Sequence, residues 1–119
     1  MKKILLAISF IVFVSSISFA QVRAQTGVWN ADKTISGYTL ATGGEMERYQ
    51  TIQITFPKPF NTKPEIQFSV TRYDGEGGVG ARYDCKIISS YKGGFTLEIK
   101  TWGGTKIHLI GGTWMAIGE

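Results

Sequence analysis

The sequence predicts an all-β chain, a six-stranded antiparallel β-sandwich. Three observations carry that expectation. No helical period is sustained after Gln25, apolar residues alternate with polar ones at period two, and glycine-rich turns separate the alternating runs. About six short strands with one apolar and one wet face cannot bury themselves singly. Two antiparallel sheets packed face to face solve that problem, with a small barrel as the alternative. The chain has 119 residues, enough for one domain. Its hydrophobic fraction of 43% excludes a disordered chain, and its charged fraction of 18% is too low for an ionic coiled coil.

The chain opens with the basic Met1-Lys2-Lys3, an apolar run from Ile4 to Val14 and a small, mostly polar stretch ending Ser18-Phe19-Ala20. This is the layout of a secretory signal peptide over residues 1–20, cleaved after Ala20 or, alternatively, after Ala24. An uncleaved anchor is the competing reading, although the apolar run is shorter than the ~20 residues a membrane span needs. The mature chain is expected to be secreted, extracellular or periplasmic, with no stable membrane insertion. Removing Lys2 and Lys3 lowers the formal charge of +4 by two. The remaining basic residues form no stripe, so a nucleic-acid partner is not expected. Cys85 is the single cysteine, which leaves no intramolecular disulfide to support an exported fold.

A first strand is weakly signalled around Gly27 to Asn30. The next is clear: Ile52, Ile54 and Phe56 alternate with Gln53 and Thr55, and Pro57-Lys58-Pro59 makes a corner. Ile66, Phe68 and Val70 define a third, followed by a loop from Asp74 to Gly80. Tyr83, Cys85 and Ile87 define a fourth, turned at Lys92-Gly93-Gly94 into a fifth with Phe95, Leu97 and Ile99 inward. Ile107 and Leu109 continue after Gly103-Gly104-Thr105, and a less regular run from Trp114 to Ile117 closes the chain. Face parity across Gly103 to Thr105 favours a three-residue hairpin loop that pairs Trp102 with Lys106 and Lys100 with His108. In that register Trp102 and His108 are diagonal neighbours on the outer face, roughly 7–8 Å apart.

Several catalytic signatures fail. Gly75-Glu76-Gly77-Gly78-Val79-Gly80 matches a dinucleotide-loop pattern, but a strand follows it where a helix is required. Asp74, Glu76, Asp84 and Glu98 sit where solvated carboxylates ordinarily sit, and one histidine cannot build a metal site. Cys85 falls on an inward position and reads as a small buried apolar residue. No enzyme activity, metal or cofactor is expected. Trp102, Arg82 and His108 stand out instead, because each falls at an outward position. A flat ring facing water can pack on the apolar face of a sugar, and a guanidinium fork suits hydroxyl or carboxylate oxygens. Their plain alternatives are an edge cover for Trp102, an ion pair with Asp84 or Glu98 for Arg82, and surface filling for His108.

The ordered set Ile54-Thr55-Phe56-Pro57, Pro64-Glu65-Ile66, Phe68 to Asp74, Arg82, Gly94-Phe95-Thr96, Thr101-Trp102 and Thr113-Trp114-Met115-Ala116 resembles the H-type lectin domain. The resemblance runs from about Thr26 to Gly118, giving a domain over 26–118. It implies a carbohydrate-binding protein for galactose or N-acetylgalactosamine-type glycans, multivalent as a homotrimer or trimer-based oligomer, with metal-free sites between protomers. By position it implies Arg82 and Trp102 as sugar contacts, Glu45 as the acid given by a neighbouring protomer, and His108 at an aromatic position. Two departures bear on the pocket. Gly103 stands where the snail agglutinin of the family has histidine, and Glu45 where it has aspartate. The competing functional class is a structural or adhesion β-sandwich in which Trp102 belongs to a protein interface.

Overall fold

A computed structural model describes residues 21–119; the signal-peptide expectation over residues 1–20 lies outside the described residues. Six strands are present: β1 (Arg23–Asp32), β2 (Arg48–Thr55), β3 (Glu65–Gly75), β4 (Tyr83–Tyr91), β5 (Gly94–Thr101) and β6 (Ile107–Gly118). They form two three-stranded antiparallel sheets, ordered β1-β6-β3 and β2-β5-β4. The expected sandwich is observed, with β1 longer than its weak signal and the two closing segments fused into one strand.

The two middle strands explain the core. Every odd residue of β5 from Phe95 to Thr101 is buried, as are Ile107, Ile110, Trp114 and Ala116 of β6. Phe56, Phe60, Phe95 and Trp114 meet as an aromatic cluster with ring centroids 5.2 to 6.0 Å apart. Such pairs add specific edge and offset contacts to the burial of large apolar surfaces. Two close approaches make this packing feasible. At Gly27 a Cβ would sit 2.6 Å from the Trp114 ring, and at Gly112 it would collide with the Ser69 carbonyl. That carbonyl accepts the Trp29 indole N–H at 3.1 Å. Cys85 packs half-buried against the core, and burial pushes its thiol up to about 11.

The β4–β5 hairpin forms as expected, with Tyr91 opposite Gly94 across Lys92-Gly93. The hairpin inferred between β5 and β6 does not form. β5 is hydrogen-bonded on both edges, by β2 and β4, and β6 by β1 and β3, so neither has an edge to offer the other. Residues 102–106 therefore cross from one sheet to the other. Face parity tests a proposed pairing but cannot reveal that each strand will be central in its own sheet. In consequence, Trp102 and His108 are not cross-strand neighbours. No helix among the described residues is long and apolar enough to cross a membrane.

Candidate functional site

Three connections meet at one end of the sandwich: residues 33–47, 76–82 and 102–106. Their backbones are tied directly. Ile107 N–H donates to Leu40 O at 2.8 Å, and Glu76 N–H to Lys106 O at 3.0 Å. The Lys106 ammonium also meets the Glu76 carboxylate at 3.1 Å.

Two buried threonines hold Arg82 in place. The Thr101 hydroxyl donates to Arg82 O at 2.5 Å. Thr105 Oγ1 accepts the Arg82 N–H at 3.3 Å and donates to Gly80 O at 2.5 Å. With its backbone fixed on both sides, Arg82 extends an exposed guanidinium over Gly103. A Cβ at Gly103 would lie 3.3 Å from Arg82 Nη1. Gly103 has φ +63°, the left-handed region that glycine occupies without steric cost. Glycine at this position thus meets two independent demands, backbone geometry and room for the arginine. The nearest polar alternative for Arg82 is not realised: among the described residues it has no carboxylate within ion-pair reach, whereas Glu98 pairs with Lys86 at 3.8 Å.

Trp102 continues the outward parity of Glu98 and Lys100. It is half-buried and lies outside the apolar core cluster. Lys100 Nζ stands 5.4 Å from its ring centroid, a cation–π contact. The same ammonium is 3.7 Å from Glu47, whose Oε2 accepts the Tyr49 hydroxyl at 2.6 Å. That hydroxyl bond first, and the Lys100 charge second, hold the Glu47 carboxyl below its ordinary value. Tryptophan, lysine, glutamate and tyrosine therefore form one connected strip, which ends at Trp102, the chain neighbour of Gly103.

Of the five residues singled out from sequence, the structure sets Arg82 against Gly103, which follows Trp102 in the chain. Glu45 is exposed in the 33–47 connection, and His108 is half-buried on β6 in the opposite sheet. No hydrogen bond or ion pair among the described residues ties either of them to the trio. His108 alternates with the buried Ile107, and its Nδ1 is shut off from solvent, without a hydrogen-bond partner among the described residues. Sequence reasoning missed Thr101, Thr105 and Arg48, which fix the loop. A signal was available, since all of odd β5 faces inward and a threonine there must bond to something polar. No group of three histidine, cysteine, aspartate or glutamate residues that could hold a metal occurs among the described residues.

A volume of about 480 Å³ lies elsewhere, across the outer face of β1-β6-β3, lined by Thr26, Val28, Gln67, Ser69, Thr113 and Met115 among others. It contains no charged side chain. The opposite outer face, by contrast, carries Asp84, Lys86, Glu98 and Lys100 around a shallow depression.

The family model of the H-type lectin domain matches residues 51–117. Arg82, Trp102, Gly103 and His108 fall within the match; Glu45 and Arg48 precede it. A curated relative, the ATP synthase subunits region ORF 7 of Fuscovulum blasticum, is 31% identical over 104 residues, covering 83% of this chain and 90% of the relative. Two solved structures of discoidin II from Dictyostelium discoideum, recombinant and wild-type, superpose with a TM-score of 0.67 at 20% identity. They cover 85% and 84% of this chain, which spans 38% of the discoidin II chain in each case. At that identity the likeness establishes a shared fold. With more than half the chain matched by the family model and a relative matched along most of its length, this protein belongs to the H-type lectin domain family.

Proposed function

We propose that this protein is a secreted, non-catalytic lectin that binds galactose or N-acetylgalactosamine-type glycans through Trp102, Gly103 and Arg82. One observation carries the reading: an Arg82 guanidinium that no carboxylate neutralises among the described residues lies over Gly103, next in the chain to a half-buried tryptophan outside the core. The Trp102 ring packs on the C–H face of the sugar, and Arg82 donates to ring or hydroxyl oxygens. Gly103 keeps the floor between them flat. Glu45, solvent-facing and unbonded among the described residues, reaches into the site of a neighbouring copy and accepts hydrogen bonds from vicinal hydroxyls. His108, the second residue of β6, shapes the rim.

Such an open site gives weak single-site affinity, because charge-assisted hydrogen bonds to sugar replace equally available bonds to water. Symmetric repetition compensates, raising avidity by factors of roughly 10² or more when spacing fits the glycan surface. A homotrimer is the assembly we propose. Its support is the patch on the outer face of β1-β6-β3 lined by Thr26, Val28, Gln67, Ser69, Thr113 and Met115, which carries no charged side chain and where Val28 is 79% exposed. Secretion follows from the composition of residues 1–20. Cleavage after Ala20 suits the mature fold better than cleavage after Ala24, because Arg23 stands 4.7 Å from the Phe60 ring centroid and opens β1 opposite Gly118.

The test is a glycan array probed with the purified protein, alongside Trp102→Ala and Arg82→Ala variants whose mass in solution matches wild type. The expected result is galactose-family binding lost in both variants. A silent array for the intact wild-type oligomer would refute the lectin reading and favour a β-sandwich that binds a protein partner.

A further inference from the structure

We propose that Arg48 is the positioning residue of this site, coupling the loop that carries Trp102 and Gly103 to the loop that carries Glu45. Arg48 opens β2 directly opposite Thr101, the last residue of β5, so it stands where the chain leaves the sheet toward Trp102. It shares the inward parity of Gln50, Ile52 and Ile54, an uncommon place for a guanidinium. Its Nη2 donates to Gly103 O at 2.9 Å and to Thr105 O at 2.8 Å, holding the 103–105 peptides from behind. Its Nε donates to Met46 O at 3.3 Å, next to Glu45. One planar fork thus fixes carbonyls on two connections far apart in sequence.

The arrangement carries a stability cost. Nη1 is enclosed with no partner among the described residues, and no carboxylate there pairs with the charge. A partly buried, incompletely satisfied cation is unfavourable on its own account. What it secures is geometry: Gly103 stays in its left-handed conformation, Arg82 keeps its seat above it, and Trp102 keeps its outward pose. A lysine at this position has no planar fork with which to hold three carbonyls.

The test uses Arg48→Lys and Arg48→Met in the full chain. Trp29 and Trp114 are 3% and 5% exposed, so the neutral quencher acrylamide reaches chiefly Trp102, with Trp102→Phe as the control. Both variants are expected to raise the quenching constant about twofold while keeping a native circular-dichroism spectrum, as a locally loosened loop would. Retention on immobilised galactose or N-acetylgalactosamine is expected to fall about tenfold or more, as misplacement of positioned groups commonly causes. That binding arm rests on the lectin reading; the quenching arm does not. A wild type that ignores both sugars counts against the lectin reading alone, and quenching then decides the role of Arg48. Wild-type quenching in a folded Arg48→Lys would overturn the proposal, since charge without the fork would suffice. So would a lowered Tm in Arg48→Met with Trp102 quenching unchanged, which marks a merely structural residue.

Discussion

Replacing Gly103 by alanine, with Gly37→Ala as its twin, separates two roles of one glycine. Both residues occupy the left-handed region, at φ +63° and +75°. A Cβ at Gly37 meets nothing within 4 Å, whereas one at Gly103 meets Arg82 Nη1 at 3.3 Å and Cδ at 3.6 Å. The backbone cost is therefore shared, about 1–2 kcal/mol for an L side chain in that conformation. For a domain of this size each kcal/mol lowers Tm by about 4–8 °C. The contact at Gly103 adds little to instability, because the exposed guanidinium yields by a few tenths of an ångström and each atom pair is worth only ~0.1–0.2 kcal/mol. It does move the guanidinium that the proposed site uses as a donor. We expect equal Tm losses in the two variants by thermal circular dichroism. Titration against the strongest array glycan should show roughly threefold to tenfold weaker binding for Gly103→Ala alone, part of the ~1.5–3 kcal/mol a charged hydrogen bond can contribute. Equal binding by both variants would refute the reasoning that Arg82 is seated on Gly103.

Two further expectations concern titrating groups. Burial pushes the Cys85 thiol from 9.0 up to about 11, so at pH 8 its reactive thiolate is about a hundredfold scarcer than in the unfolded chain. Iodoacetamide labelling followed by mass spectrometry should be correspondingly slow in the native protein and fast in denaturant; equal rates would contradict the burial. Tyr38 donates its hydroxyl to Ile107 O at 2.7 Å and is pushed from 10.0 up to about 12, by burial first and then by the Asp32 charge. Folding therefore favours the neutral phenol, so its stabilisation is complete below pH 10 and disappears as pH rises through about 12. The stability gap between wild type and Tyr38→Phe, measured by denaturant titration, should narrow across that window, and a constant gap would refute the assignment.

The strands were legible because their signal is local. Ile52, Ile54, Phe56 and Phe95, Leu97, Ile99 announce inner faces by period alone, and the Lys92-Gly93-Gly94 turn joins β4 to β5, although Gly94 itself opens the strand. Gly103 was marked only by its position in the family resemblance, whereas Trp102 was legible for the same reason as the strands, since parity fixes its side of the sheet. The seat of Arg82 on Gly103 was not, because it depends on a crossover between sheets that no local pattern encodes. The same crossover separates His108 from Trp102 and leaves the imidazole half-buried. Arg48 occupies the middle ground. Extending the inward set from Phe56 back through Gln50 reaches it, and an arginine facing inward at a strand end signals a specific set of acceptors.

The central claim is that a sugar ring rests on Trp102 beside Arg82. The chain has three tryptophans, and two of them, Trp29 and Trp114, are core residues. Titrating the isotope-labelled protein with N-acetylgalactosamine and galactose, while following the three indole N–H resonances by NMR, therefore tests it directly. A saturable shift confined to Trp102 and abolished in Arg82→Ala is the result expected. Saturable binding that leaves the Trp102 resonance unmoved would contradict the account.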